Sequence, residues 1–162
     1  MQPRTHPDLA FMLPKLSRWL ALGFGSGLVR WAPGTFGTVF GWLSWLAMAR
    51  WLAPEQILWL CVPAFLVGIW ACERTGRALG VHDHSAIVWD EVVAFWILLS
   101  LTPATWPMQV AAFLLFRVFD IVKPTPIRQL DARIANGWGV MLDDLVAAGY
   151  AALILTAWRA LA

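Results

Sequence analysis

Charge is what this sequence has least of. Asp, Glu, Lys and Arg make up 14% of its 162 residues, where a soluble domain carries about 25%. Cysteine is nearly absent as well. Cys61 and Cys72 lie in one apolar segment, about three turns apart if that segment is a helix, so they cannot bridge. That excludes a disulfide framework, their spacing suits no zinc motif, and both read as packing residues. The basic residues are scattered, so no nucleic-acid partner is expected. Residues 1–18 mix Arg4, His6, Asp8, Lys15 and Arg18 with three prolines and show no signal-peptide pattern. The first apolar run is therefore expected to stay in the membrane. No internal repeat supports an inverted-repeat transporter.

What the chain has in excess is apolar surface. It is 60% hydrophobic, with twelve Trp and a mean hydropathy of +0.65. Trp favours membrane–water interfaces. The pattern predicts an all-α, polytopic membrane bundle of about five apolar helices, at 36–53, 57–72, 86–101, 108–122 and 145–161. Turns fall at Leu52-Ala53-Pro54 and Thr102-Pro103-Ala104. Residues 15–22 predict a short helix lying at the membrane surface. Residues 23–38, GFGSGLVRWAPGTFGT, read as a loop or broken segment. The organisation expected is an N-terminal cytoplasmic or interfacial segment, 1–22, followed by a membrane domain, 23–162.

Basic residues alternate between connections. Arg4, Lys15, Arg18 and Arg30 precede the first stretch, Arg74 and Arg77 fall in 73–85, and Lys123, Arg128 and Arg133 in 123–142. The positive-inside rule puts these three on the cytoplasmic side, with the N-terminus inside and the C-terminus outside. Every unusual polar cluster adjoins one of them, so any chemistry gathers on one membrane face.

Six of the ten acidic residues lie in or beside apolar stretches: Asp83, Asp90, Glu91, Asp120, Asp143 and Asp144. A carboxylate in lipid costs about 2.5–3.5 kcal/mol on insertion scales, so such residues pair or bind a cation. In VHDHSAIVWDE (81–91), Ser85 is a candidate N-cap, with Asp90 and Glu91 in the second turn and His82, Asp83 and His84 leading in. In FRVFDIVKPTPI (116–127), Asp120 ends a helix, and Arg117 and Lys123 suit a phosphate unless Arg117 merely pairs with Asp120. In NGWGVMLDDLVAA (136–148), a glycine turn leads Asp143 and Asp144 into the last helix. Two adjacent carboxylates there call for a divalent cation more than for a helix dipole. Oxygen-only donors suit Mg²⁺. Mg²⁺ with Arg and Lys is equipment for phosphoryl transfer. The GFGSGL segment, with Ser26, and PGTFGT offer backbone N–H groups to a phosphate.

Five blocks in order, GFGSGL, PGTFGT, GVHDHSAIVWDE, FRVFDIVKPTPI and GVMLDDLVA, give the chain from Gly23 to Gly149 a sequence that resembles the phosphatidylglycerophosphatase A family. The resemblance implies an Mg²⁺-dependent phosphatase of the bacterial inner membrane that converts phosphatidylglycerophosphate, a phospholipid, to phosphatidylglycerol and phosphate. The expected metal ligands are Asp90, Glu91, Asp143 and Asp144. Asp83, His84, Asp90 and Asp120 are the expected catalytic groups, Asp83 or His84 taking the proton of the attacking water. Arg117, Lys123 and Ser26 are the expected phosphate contacts. Cys72-Glu73-Arg74-Thr75-Gly76-Arg77 has the wrong Arg spacing for a Cys-dependent phosphatase loop. The competing readings are a cation transporter, which wants acids near mid-membrane, and a non-enzymatic membrane subunit whose charges only pair.

Overall fold

Asp8 caps a short first helix, α1 (Leu9–Met12), by accepting from the Phe11 N–H at 2.9 Å. The architecture is that of a computed structural model, which describes residues 6–125, 129 and 134–161. Arg4, Arg128 and Arg133 of the charge pattern, and Pro126 and Ile127 of the fourth block, lie outside the described residues. α2 (Leu16–Ala21) falls where the sequence predicts a short helix. A 3-10 segment, Gly23–Leu28, follows, broken at Phe24 (φ 54) and Gly25 (φ 104).

Five longer helices complete the described chain: α3 (Pro33–Met48), α4 (Pro54–Leu79), α5 (Trp89–Leu101), α6 (Trp106–Val122) and α7 (Gly137–Leu161). No strand occurs among the described residues. α3 and α4 open on proline, whose fixed φ suits the first turn and whose missing N–H costs nothing there. α4 ends at Gly80 in the left-handed region (φ 76). α6 ends at Lys123, also left-handed (φ 44), because Pro124 bars further helix.

Several boundaries differ from expectation. PGTFGT is not a loop; it forms the first turns of α3. α4 does not stop at 72 but carries Glu73, Arg74 and Arg77, the first and last joined by an i,i+4 ion pair at 2.6 Å. Ser85 caps nothing: the residue before α5 is Val88, so Asp90 and Glu91 occupy the first turn rather than the second. α7 starts at Gly137, which places Asp143 and Asp144 inside the helix rather than at its entrance. Glu73 Oε2 accepts from the Gly137 N–H at 2.6 Å and so satisfies one of the donors that a helix start leaves open.

α5 is the axis of the bundle and packs against α3, α4 and α7. Val92, Val93, Phe95, Leu98 and Leu99 are buried with Phe116 and Met141 around them. α3 approaches α5 closely at Gly41, where a β-carbon would stand 3.2 Å from Val92 Cα. Buried indoles find acceptors: Trp45 donates to Ser100 at 2.9 Å and Trp96 to the Gly41 carbonyl at 3.0 Å. Cys61 and Cys72 are buried free thiols on α4, as the sequence predicts.

Each apolar stretch holds a helix, but among the described residues only α4 and α7 are long and apolar enough to cross a membrane. α3, α5 and α6 have 16, 13 and 17 residues, short of the roughly 20 that a span requires. Chain direction brings the starts of α3, α5 and α7 and the ends of α4 and α6 to the same end of the bundle.

Candidate active site

At that end lies a cleft of about 390 Å³. The loop before α5 gives it Asp83 and Ser85, and α5 gives Asp90 and Glu91. α6 and its end give Arg117, Asp120 and Lys123, α7 gives Asp143 and Asp144, and the start of α3 gives Pro33, Gly34 and Thr35. All six carboxylates singled out in the sequence therefore line one cavity.

Their arrangement has two parts. In the inner part, Glu91, Asp120 and Asp144 each offer an oxygen, and the three oxygens lie within 4.8 Å of one another. Arg117 Nη1 bridges two of these residues, 2.6 Å from Asp120 Oδ2 and 3.1 Å from Glu91 Oε1. It also donates to Thr38 Oγ1 at 3.3 Å. The Thr38 hydroxyl stands 2.9 Å from the Gly34 carbonyl and 3.3 Å from Glu91 Oε2, and its one proton serves either. In the outer part, Lys123 Nζ lies 2.6 Å from Asp143 Oδ2 and 3.9 Å from Asp83 Oδ2. Each adjacent acid pair is locally braced: Asp90 Oδ1 accepts from the Glu91 N–H and Asp143 Oδ1 from the Asp144 N–H, both at 3.0 Å.

The four expected metal ligands, Asp90, Glu91, Asp143 and Asp144, all line the cleft; Glu91 and Asp144 group with Asp120, expected as a catalytic group, and Asp143 faces Lys123. His84 is not in this cleft: it is buried next to it, with Nδ1 accepting from the Ala86 N–H at 3.1 Å. Ser26 is outside it too, its hydroxyl donating to the Gly23 carbonyl at 2.8 Å. Sequence reasoning missed the Thr38 side chain and read Gly34 only as a backbone donor within PGTFGT. Gly34, Gly37 and Thr38 share one helical face, a spacing that becomes visible once PGTFGT is read as helix.

The residues fit a hard divalent cation. Among the described residues, six carboxylates against two lining cations, Arg117 and Lys123, leave an excess of four negative charges when all are ionised. Asp144 is buried, and its Oδ2 has no hydrogen-bond partner. An orphaned buried carboxylate oxygen costs several kcal/mol unless something cationic meets it. The donor set is oxygen only, as Mg²⁺ and Ca²⁺ require. Glu91, Asp120 and Asp144 would hold such an ion.

Comparison with known proteins agrees with this geometry. The family model described as Phosphatidylglycerophosphatase A matches residues 19–159. A Haemophilus influenzae protein named Phosphatidylglycerophosphatase A is 45% identical over 139 residues, covering 85% of each chain. The Escherichia coli protein of the same name is 41% identical over 155 residues, covering 93% of this chain and 89% of its own. A Bacteroides thetaiotaomicron protein named "Putative phosphatidylinositol-3-phosphatase" is 38% identical over 147 residues, covering 86% of this chain and 91% of its own. No solved structure matches. With four of its five sequence blocks lining one carboxylate-rich cleft, the chain belongs to the phosphatidylglycerophosphatase A family.

Proposed function

We propose that this protein is a Mg²⁺-dependent lipid phosphatase that hydrolyses the terminal phosphomonoester of phosphatidylglycerophosphate. The observation that carries the reading is the buried, unpartnered Asp144 Oδ2 inside a cleft with two cations and an excess of carboxylates. Glu91, Asp120 and Asp144 hold the ion. Bound there, Mg²⁺ supplies Lewis-acid polarisation of the phosphoryl group. Arg117, tied to Glu91 and Asp120, keeps those carboxylates in register and presents its remaining donors to phosphate oxygens. Lys123 adds a point charge at the mouth. The start of α3 adds a partial positive charge at the rim. Asp83 lines the cleft and takes the proton of the attacking water. His84, outside the cleft, holds the Ala86 N–H and so shapes the loop that carries Asp83. The acids gather at one end of the bundle, which suits an enzyme acting on headgroups rather than an ion path along the axis.

The same reading places the protein in the bacterial inner membrane with the cleft on the cytoplasmic side. α4 and α7 have spanning length. The helix ends remote from the cleft carry exposed Trp51, Trp59, Trp106 and Trp158, a pattern suited to an interfacial belt. Arg18, Arg30, Arg74 and Lys123 lie on the cleft side. Purified protein in detergent, given phosphatidylglycerophosphate, is expected to release phosphate with Mg²⁺ and to stop when EDTA is added. Phosphate release unaffected by chelation, or none at all, overturns the assignment.

A further inference from the structure

A second cleft, of about 370 Å³, adjoins the first. It is lined by His6, Val81, Asp83, His84 and Ser85. Asp83 and Ser85 line both clefts, so the two share a wall. We propose that this second cleft is a polyol subsite, which holds the hydroxyl-bearing linker of the lipid headgroup while the phosphomonoester occupies the carboxylate cleft, and that His6 is a specificity-determining residue within it. The inference rests on the phosphatase reading above.

The chemistry of the lining selects the ligand. His6 Nε2 lies 3.0 Å from the Leu28 carbonyl, which can only accept. The ring therefore carries its proton on Nε2 and presents Nδ1 as an acceptor when neutral. Asp83 accepts, and the Ser85 hydroxyl both donates and accepts. Among the described residues neither lysine nor arginine lines this cleft, so the described lining lacks what a phosphate needs. A hydroxyl gives and takes one hydrogen bond at once and suits such a mixed lining. The His6 and His84 rings lie tilted to each other with centroids 6.2 Å apart.

His6 is held there by the fold. Its segment is pinned by Met12, buried with Leu22 and Ala86. Arg18 adds to this by donating to the Phe11 carbonyl at 2.7 Å, with its guanidinium 4.0 Å over the Phe11 ring. His6 also lies ahead of the stretch that the family model matches, 19–159. The carboxylate cleft thus belongs wholly to the stretch that the family model matches, while His6 in the wall of the second cleft lies ahead of it. Relatives that share the core bear names for two different headgroups, one glycerol-based and one inositol-based. A wall from outside the core is where headgroup choice can change without disturbing the metal cluster.

The test compares two inhibitors of phosphate release by the full-length protein in detergent: glycerol 3-phosphate, which spans both clefts, and inorganic phosphate, which fills only the first. In the wild type, glycerol 3-phosphate is expected to bind more tightly than phosphate. His6→Ala is expected to raise the inhibition constant for glycerol 3-phosphate about 5–10-fold, the loss of one or two hydrogen bonds, and to leave that for phosphate within about twofold. His6→Gln, which keeps hydrogen-bonding capacity, is expected to fall between. The subsite is overturned if glycerol 3-phosphate binds the wild type no better than phosphate. It is equally overturned if His6→Ala leaves both constants unchanged or raises them together, the second being the mark of a structural role. A wild type that releases no phosphate removes the phosphatase reading itself, and the subsite with it.

Discussion

Gly34 on α3 faces Glu91 on α5 with no room between them for a side chain. A β-carbon at Gly34 would collide with Glu91 Oε1 and stand 2.9 Å from Arg117 Nη2. Glu91 has little freedom to yield, because Arg117 and Thr38 hold both of its oxygens. Gly34→Ala is therefore expected to cut phosphate release by more than about tenfold, with a stability loss of about 1–3 kcal/mol from overpacking. Gly149→Ala on α7 is the control. Nothing lies within 4 Å of a β-carbon there, so that variant keeps full activity and gains about 0.5–1 kcal/mol of helix stability. Equal rates for the two variants in a phosphate-release assay would show that the α3 wall is not rigid.

Thr38 touches the machinery through Glu91 and Arg117 and is a positioning residue. Its buried hydroxyl stands among the Gly34 carbonyl, Glu91 Oε2 and Arg117 Nη1. Thr38→Val keeps the shape and removes the hydroxyl, leaving Arg117 with one acceptor fewer. The expected result is a fall in kcat of about tenfold, from about 1–3 kcal/mol of lost buried hydrogen bonding, with KM within about twofold. Thr38→Ser restores the rate. A purely structural role predicts the reverse ranking, because Ser loses the packed methyl that Val keeps; thermal midpoints and steady-state kinetics measured together separate the two.

Asp144 is where metal and stability are linked. Its Oδ2 is buried without a partner, so the metal-free protein carries a desolvated acid that bound Mg²⁺ would satisfy. Mg²⁺ at about a hundred times its dissociation constant stabilises by about 2.7 kcal/mol, a rise of several degrees in Tm. Asp144→Asn is expected to match or exceed the wild type in Tm without metal, to lose the Mg²⁺-induced rise, and to retain under a tenth of the phosphate release. A variant that still gains the full rise in a thermal-shift titration removes Asp144 from the ligand set.

Much of this site is legible in the sequence, because an acid in an apolar run is conspicuous and six of them demand a shared reason. Asp83, Asp90, Glu91, Asp120, Asp143 and Asp144 do meet. What the sequence does not show is which partner each one takes. Asp143 pairs with Lys123 while its neighbour Asp144 turns inward, because adjacent residues on a helix point about 100° apart. The expectation that the start of α3 is a loop rests on its glycines, and the close packing of this helix's glycines against Val88, Glu91 and Val92 offsets their cost in a helix. Spanning length is not legible from composition alone: α5 is buried among the other helices, and its 13 residues fall short of the roughly 20 that a span requires.

The pair Lys123 and Asp143 allows substrate binding to be separated from charge balance. Lys123 Nζ sits 2.6 Å from Asp143 Oδ2, and Asp143 is buried while Lys123 is partly open to the cleft mouth. Lys123→Met removes the Lys123 charge that buried Asp143 faces, a loss of the kind that costs about 3–5 kcal/mol at a fully buried pair and less at this half-open one. Adding Asp143→Asn removes the opposing charge, so the double variant is expected to recover most of the lost Tm, with a coupling energy of about 1–3 kcal/mol between the two sites. If Lys123 serves only Asp143, activity returns along with stability. If Lys123 also meets the substrate phosphate, as proposed, the double variant refolds to near wild-type stability yet keeps a raised KM. Thermal midpoints and KM for phosphatidylglycerophosphate across the four-member cycle decide between them, and a double variant with wild-type KM removes Lys123 from phosphate binding.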